Sequence, residues 1–117
     1  MANDLIANLE ALLANGRDAP SLRFALASRY LATGDTEAAL RHAEAAVALD
    51  PTYSAGWKVL AQARAAAGDE RGAIEGYRRG IEVADSRGDA QAAKEMQVFL
   101  RRLEKRANSA PPEGGRA

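Results

Sequence analysis

Residues 54–85 read SAGWKVLAQARAAAGDERGAIEGYRRGIEVAD, and this stretch decides the fold. Trp57, Leu60 and Ala61 share one helical face, and the run is then broken by Gly68-Asp69. A second run follows, with Ala73, Tyr77 and Gly80 at spacings of four and three that bring them onto one face. The stretch therefore reads as two helices joined by a tight turn. Just upstream, Asp50-Pro51 closes an earlier segment of the same construction, because proline cannot continue the helical hydrogen-bond ladder.

Sliding the chain against itself by 34 residues makes the likeness explicit. Leu26-Ala27 falls on Leu60-Ala61, Gly34-Asp35 on Gly68-Asp69, Ala39 on Ala73, Ala43 on Tyr77, Ala46-Val47 on Gly80-Ile81 and Leu49 on Val83. The same offset places Leu5, Leu9, Leu12 and Leu13 on Ala39, Ala43, Ala46 and Val47. The beginning of the chain is thus read as the second helix of a repeat whose first helix is missing. At 100° per residue, Leu5, Ile6, Leu9, Leu12 and Leu13 form a stripe about 120° wide, suited to a helix with one covered face.

The bulk numbers agree with a small helical domain. The 117 residues suffice for one domain. Sixteen basic and sixteen acidic side chains cancel, so no overall field draws in nucleic acid or anionic lipid. The absence of cysteine excludes disulfides, thiolate zinc sites and a thiol nucleophile. Alanine makes up about a quarter of the chain, and it both favours helix and lets helices approach closely. The opening Met-Ala-Asn-Asp is acidic where a secretory leader needs a basic segment, and no apolar run is long enough to span a bilayer. The cytoplasm is the expected compartment.

Six helices are expected within one domain, residues 1–107. A half-repeat helix covers 3–16, repeat one 20–53, repeat two 54–87 and a capping helix 89–107. Gly16 is a left-handed C-cap, Pro20 suits a first turn, and Asp35 and Asp89 are N-caps. Residues 108–117 hold Pro-Pro and Gly-Gly without apolar period and read as a disordered tail.

A period of 34 with helix–turn–helix content resembles the tetratricopeptide repeat family, over about Leu5 to Leu103. Repeat two supplies Trp57, Leu60, Ala61, Gly68, Asp69, Ala73, Tyr77, Gly80 and Ile81 of the family pattern. Repeat one supplies Leu26, Ala27, Tyr30, Gly34, Asp35, Ala39, Ala46 and Pro51. Arg64 departs where an aromatic is usual, Asp85 where proline is usual, and Arg23 and Ala43 where large side chains are usual. The layout is similar to small stand-alone bacterial members. The resemblance implies an all-α array of helical hairpins in a right-handed superhelix. Small residues (Ala27, Ala39, Ala61, Ala73) would sit at helix crossings, and large ones (Leu26, Tyr30, Trp57, Leu60, Tyr77) between successive pairs. Trp57 is then a packing residue.

No catalytic, cofactor or metal site is legible, and the protein is not expected to be an enzyme. His42, the single histidine, lies on an alanine-rich helix beside Arg41 and is read as an exposed surface residue. The acidic residues show no metal-ligand spacing, and Gly34 and Gly68 lack the lysine of a phosphate-binding loop.

The resemblance points to the concave face lined by the first helix of each pair. That assigns Phe24, Ser28 and Leu31 from repeat one, Lys58 and Gln62 from repeat two, and Lys94, Val98 and Arg101 from the last helix, where it continues the array. Such a groove, apolar at one end and basic along one side, suits a peptide or protein segment that is acidic or ends in a carboxylate. The chaperone-type carboxylate clamp is absent, because Phe24, Ser28 and Val59 stand where that motif wants Lys, Asn and Asn. The expected function is a non-enzymatic protein-interaction module. Alternatives are a self-associating scaffold, with a homodimer through the exposed ends of the array or the Val98-Phe99 region, and an accessory subunit of a larger enzyme or assembly. Nucleic acid and membrane are not expected partners.

Overall fold

The computed structural model describes residues 2–109, with side chains from Asp4. Among the described residues there are six helices and no strand: α1 (Ala2–Ala14), α2 (Pro20–Thr33), α3 (Thr36–Leu49), α4 (Ser54–Ala66), α5 (Glu70–Ser86) and α6 (Ala90–Ser109). Asn108 and Ser109 complete α6, and the rest of the segment read as a tail, residues 110–117, lies outside the described residues.

The tight turns share one chemistry. Gly34, Gly68 and Gly88 adopt positive φ of 87°, 86° and 75°, a region open to glycine and strained for a side chain bearing Cβ. The following aspartate then caps the next helix. The Oδ1 atoms of Asp35, Asp69 and Asp89 accept from the amides of Ala38, Gly72 and Ala92 at 3.2, 2.9 and 3.1 Å. The same aspartates donate their own amides back to Tyr30, Arg64 and Ala84, closing the orphan carbonyls of the preceding helix. Each Gly-Asp pair thus ends one helix and starts another, giving the antiparallel hairpins α2/α3, α4/α5 and α5/α6. The α3–α4 link differs. Asp50 accepts from the amide and hydroxyl of Thr52 at 2.9 and 2.7 Å, a turn followed by the new helix at Ser54.

Successive hairpins pack with alanine at their crossings. Ala27, Ala39, Ala61 and Ala73 are fully buried. One cluster gathers Ala27, Ala43, Val59 and Leu60, with Phe24, Leu31 and Trp57 against it. The second gathers Ala61, Tyr77, Ala84, Ala93, Met96 and Leu103. Two departures from the repeat pattern are satisfied by hydrogen bonds. Arg23 bridges Asp18 and His42, and Arg64 donates to the Gly72 carbonyl at 3.0 Å. Trp57 packs as expected but keeps a polar tie, its Nε1 donating to the Pro51 carbonyl at 2.8 Å.

His42 is a correction. It is 5% exposed, enclosed by α1 and α2. Its spacing from Ala38, Ala39, Ala43 and Ala46 puts it in the middle of the buried stripe of α3.

A cleft between the fourth and sixth helices

Helices α4 and α6 both run antiparallel to α5 and so lie parallel to each other. Helix α6 packs along α5 and meets α4 at an edge. Where the two edges face, they enclose a cleft with three levels.

At one end Ser54 and Ala55 face Asp89 and Ala92, over Met96. In the middle Lys58 crosses the cleft, its Nζ 2.6 Å from Oε1 of Glu95. At the other end Ala65 of α4, Tyr77 of α5 and Phe99 and Leu103 of α6 enclose a recess of about 240 Å³, with Arg102 and Arg106 at its mouth. Tyr77 is its floor, 3% exposed and stacked on Phe99 with centroids 5.7 Å apart and planes 12° from parallel. Burial, aided by the negative charge of Glu95, pushes the Tyr77 phenol up to about 12. The Arg102 guanidinium lies 5.8 Å from the Phe99 ring centroid, and Arg106 pairs with Glu70 at 3.0 Å.

The residues assigned to the groove from the sequence divide three ways. Lys58 is in the cleft, and half-buried Gln62 lies one turn along the same helix without a side-chain hydrogen bond among the described residues. Phe24 and Ser28 line a separate hollow with Leu5 and Leu9 of α1, and Phe24 meets Tyr53 edge-on at 6.0 Å. Leu31 packs against the first core cluster. Val98 is 39% exposed, so the run Val98-Phe99-Leu100 is wider than one buried stripe. Lys94 and Arg101 are exposed, and lie about 150° round α6 from buried Met96 and Leu103. They face away from α4, and Glu95 and Arg102 take the positions beside the cleft. The packing of α6 sets this: Ala93, Met96 and Leu103 are buried with Tyr77 and Ala84 of α5, and α6 touches α4 only along an edge, so it does not repeat the closer placement of α4 beside α2. Glu95, Arg102 and Tyr77 were missed because the side of α6 that meets α4 depends on that packing.

A second polar cluster joins α1 to the body. Tyr30 donates its hydroxyl to Oε2 of Glu10 at 2.6 Å, and the same oxygen is 3.3 Å from Nε2 of His42. The rings of Tyr30 and His42 stack, 1° from parallel. The two ring nitrogens of His42 are engaged by Arg23 and Glu10.

A family model described as tetratricopeptide repeat matches residues 20–63. The TPR repeat-containing protein PA0015 of Pseudomonas aeruginosa is 50% identical over 101 residues, 86% of this chain and 96% of that protein. The chain belongs to the tetratricopeptide repeat family. The solution structure of protein BPP2914 from Bordetella parapertussis superposes on this tetratricopeptide array with a TM-score of 0.75 at 46% identity, covering 86% of this chain and 88% of that one. The heat-shock protein cognate co-chaperone sgt12 of Aspergillus fumigatus is 35% identical over 86 residues, 74% of this chain and 25% of that protein. The repeat thus provides a protein-interaction surface, and no helix among the described residues is long and apolar enough to cross a membrane.

Proposed function

We propose that this tetratricopeptide array is a non-enzymatic module of the cytoplasm that holds a peptide or protein segment along its concave side. The reading rests chiefly on the open α4–α6 cleft, with an apolar floor and, among the described residues, one cross-tie from half-buried Lys58 to exposed Glu95. A tie of this kind contributes little to stability, about 0–1 kcal/mol, so it opens readily to an incoming chain. The co-chaperone relative supports a protein partner. A chaperone-type clamp is not part of the reading, because Val59 is wholly buried where a groove asparagine would stand.

Within this reading Lys58 and Gln62 contact the segment, and Phe24, Ser28 and Leu31 extend the surface toward α1. Lys94, Val98 and Arg101, which share one face of α6, are left outside it. A displayed random-peptide library panned against the intact chain tests this. Selected peptides should lose at least about tenfold in affinity with Lys58→Glu and with Gln62→Arg, and keep it with Lys94→Glu. Binders indifferent to both cleft changes would overturn the assignment.

A second reading has its own observation. None of the described side chains of α1 is buried, and Leu12, Leu49 and Val98 are exposed at 40, 48 and 39%. Such surfaces favour self-association. Light scattering across concentration separates the readings, since a strict monomer removes the homodimer.

A further inference from the structure

The hollow between α1 and α2 shares no lining residue with the α4–α6 cleft. It holds about 390 Å³, between Leu5 and Leu9 of α1 and one face of α2 from Phe24 to Ala32. The repeat itself shows what such a face normally meets. Moved on by 34 residues, Ala25 and Arg29 become Val59 and Ala63, both wholly buried, and Val59 packs with Ala27 and Ala43 of the preceding hairpin. There α4 is covered by α2 and α3 together. On the corresponding side α2 meets only α1, and Ala25 is half-buried and Arg29 exposed. The same offset carries Leu5, Leu9 and Leu12 to Ala39, Ala43 and Ala46, all wholly buried, whereas none of the three leucines is. Among the described residues no helix stands to α1 and α2 as α2 stands to α3 and α4. What is left is an open, apolar slot where the array would pack another helix.

Charge narrows what can cover it. Residues 2–33 carry Asp4, Glu10 and Asp18 against Arg17, Arg23 and Arg29, a balance of zero, so two such units meet without net repulsion. Helix α6 carries Lys94, Arg101, Arg102, Lys105 and Arg106 against Glu95 and Glu104, a surplus of three positive charges. Seated in the slot it would bring cations against Arg29 and strip water from them, which disfavours head-to-tail stacking. A contact of the same face on both copies avoids this and closes after two.

We propose that two copies of this chain pair about a two-fold axis, slot to slot, through Leu5 and Leu9 of α1 and Phe24, Ala25 and Ala32 of α2. This locates the self-associating reading above and rests on it. Helix α1 has 13 residues and is about 20 Å long. Beside α2 it gives a face about 20 Å wide, a flat footprint of about 400 Å² per copy. Both copies together bury about 800 Å², less than the ~1,200 Å² of a stable complex, so the dimer is weak and depends on concentration. It covers Phe24 and Ser28 and leaves the α4–α6 cleft open.

The test is sedimentation equilibrium of the intact chain up to millimolar concentration, where the average mass should rise above that of one chain. Ala32 is exposed in the single chain, so Ala32→Arg keeps the fold while the dissociation constant rises about tenfold, and Val98→Arg leaves it unchanged. The chain has no cysteine, so a nitroxide on Asn15→Cys marks a single site near the slot. Mixed with unlabelled chain enriched in nitrogen-15, it should broaden amide resonances of α1 and α2 and leave α6 sharp, and the same label on Lys105→Cys should leave α1 and α2 sharp. A strict monomer at millimolar concentration removes self-association and this face with it. A dimer that tolerates Ala32→Arg, or in which the Lys105 label broadens α1, keeps self-association and overturns the slot.

Discussion

Nε2 of His42 lies 3.3 Å from Oε2 of Glu10, a residue 32 positions earlier on a different helix. The other ring nitrogen, Nδ1, is 3.1 Å from the Arg23 guanidinium, which only donates. Nδ1 must therefore accept, and the neutral ring carries its proton on Nε2, directed at Glu10. The buried imidazole is a link in a chain from α2 through α3 to α1.

This linkage sets a pH dependence. Burial holds the His42 pKa below its ordinary 6.5, with Arg23 and Arg41 acting the same way and Glu10 opposing. A depressed folded-state value means that the unfolded chain binds the proton more readily. Stability is then complete above about 6.5 and declines as pH falls toward the folded-state value. The Tyr30 hydroxyl, with His42 and Arg23, lowers Glu10 from 4.5, which adds a second loss at more acid pH. The single histidine makes NMR titration unambiguous. Its midpoint should fall below 6.5, and a midpoint above 6.5 would contradict the burial argument.

Helix α1 should be the first element to open. Its described side chains include none that is buried, and the Glu10 contacts to Tyr30 and His42 tie it to the body. Glu10→Ala should raise hydrogen exchange in α1 well before the rest of the array, because local opening follows local contact density. Uniform protection across α1 and α4 in that variant would show that the leucine stripe alone suffices.

Gly80 is where α5 touches both neighbours. A Cβ there would lie 2.6 Å from Sδ of Met96 and 3.0 Å from Cβ of Trp57. The methionine end can swing away, but the Trp57 Cβ is fixed by its helix. Gly80→Ala should cost about 1–3 kcal/mol in denaturant unfolding despite alanine's better helix propensity.

The three Gly-Asp turns predict matched effects. Asp35→Ala, Asp69→Ala and Asp89→Ala should each destabilise by about 0.5–2 kcal/mol, and replacement by Asn or Ser should restore most of it. Chemical denaturation of these variants checks this. An Asp69→Asn variant as weak as Asp69→Ala would mean that charge, through the helix dipole, matters more than the hydrogen bond.

Much of this protein is local and therefore legible in its sequence. Gly34-Asp35, Gly68-Asp69 and Gly88-Asp89 carry their turn chemistry within a few residues, and Ala27 and Ala61 mark crossings at a fixed period. The placement of His42 was equally readable, since it stands three and four residues from Ala39 and Ala46 on the same stripe. Its lone polarity suggested the surface, and only the arrival of Glu10, Tyr30 and Arg23 from other helices makes its burial tolerable. The cleft belongs to the other class. Whether Lys94 or Glu95 faces Lys58 is a rotation of α6 by one residue. The heptad-like spacing of Met96, Phe99 and Leu103 is compatible with a range of rotations. The choice is made by Met96 and Tyr77 packing between α4, α5 and α6. The sequence alone determined the repeat, because helices and turns answer to neighbours in the chain. The tertiary structure alone decided the site, because it lies between helices whose relative rotation no local signal carries.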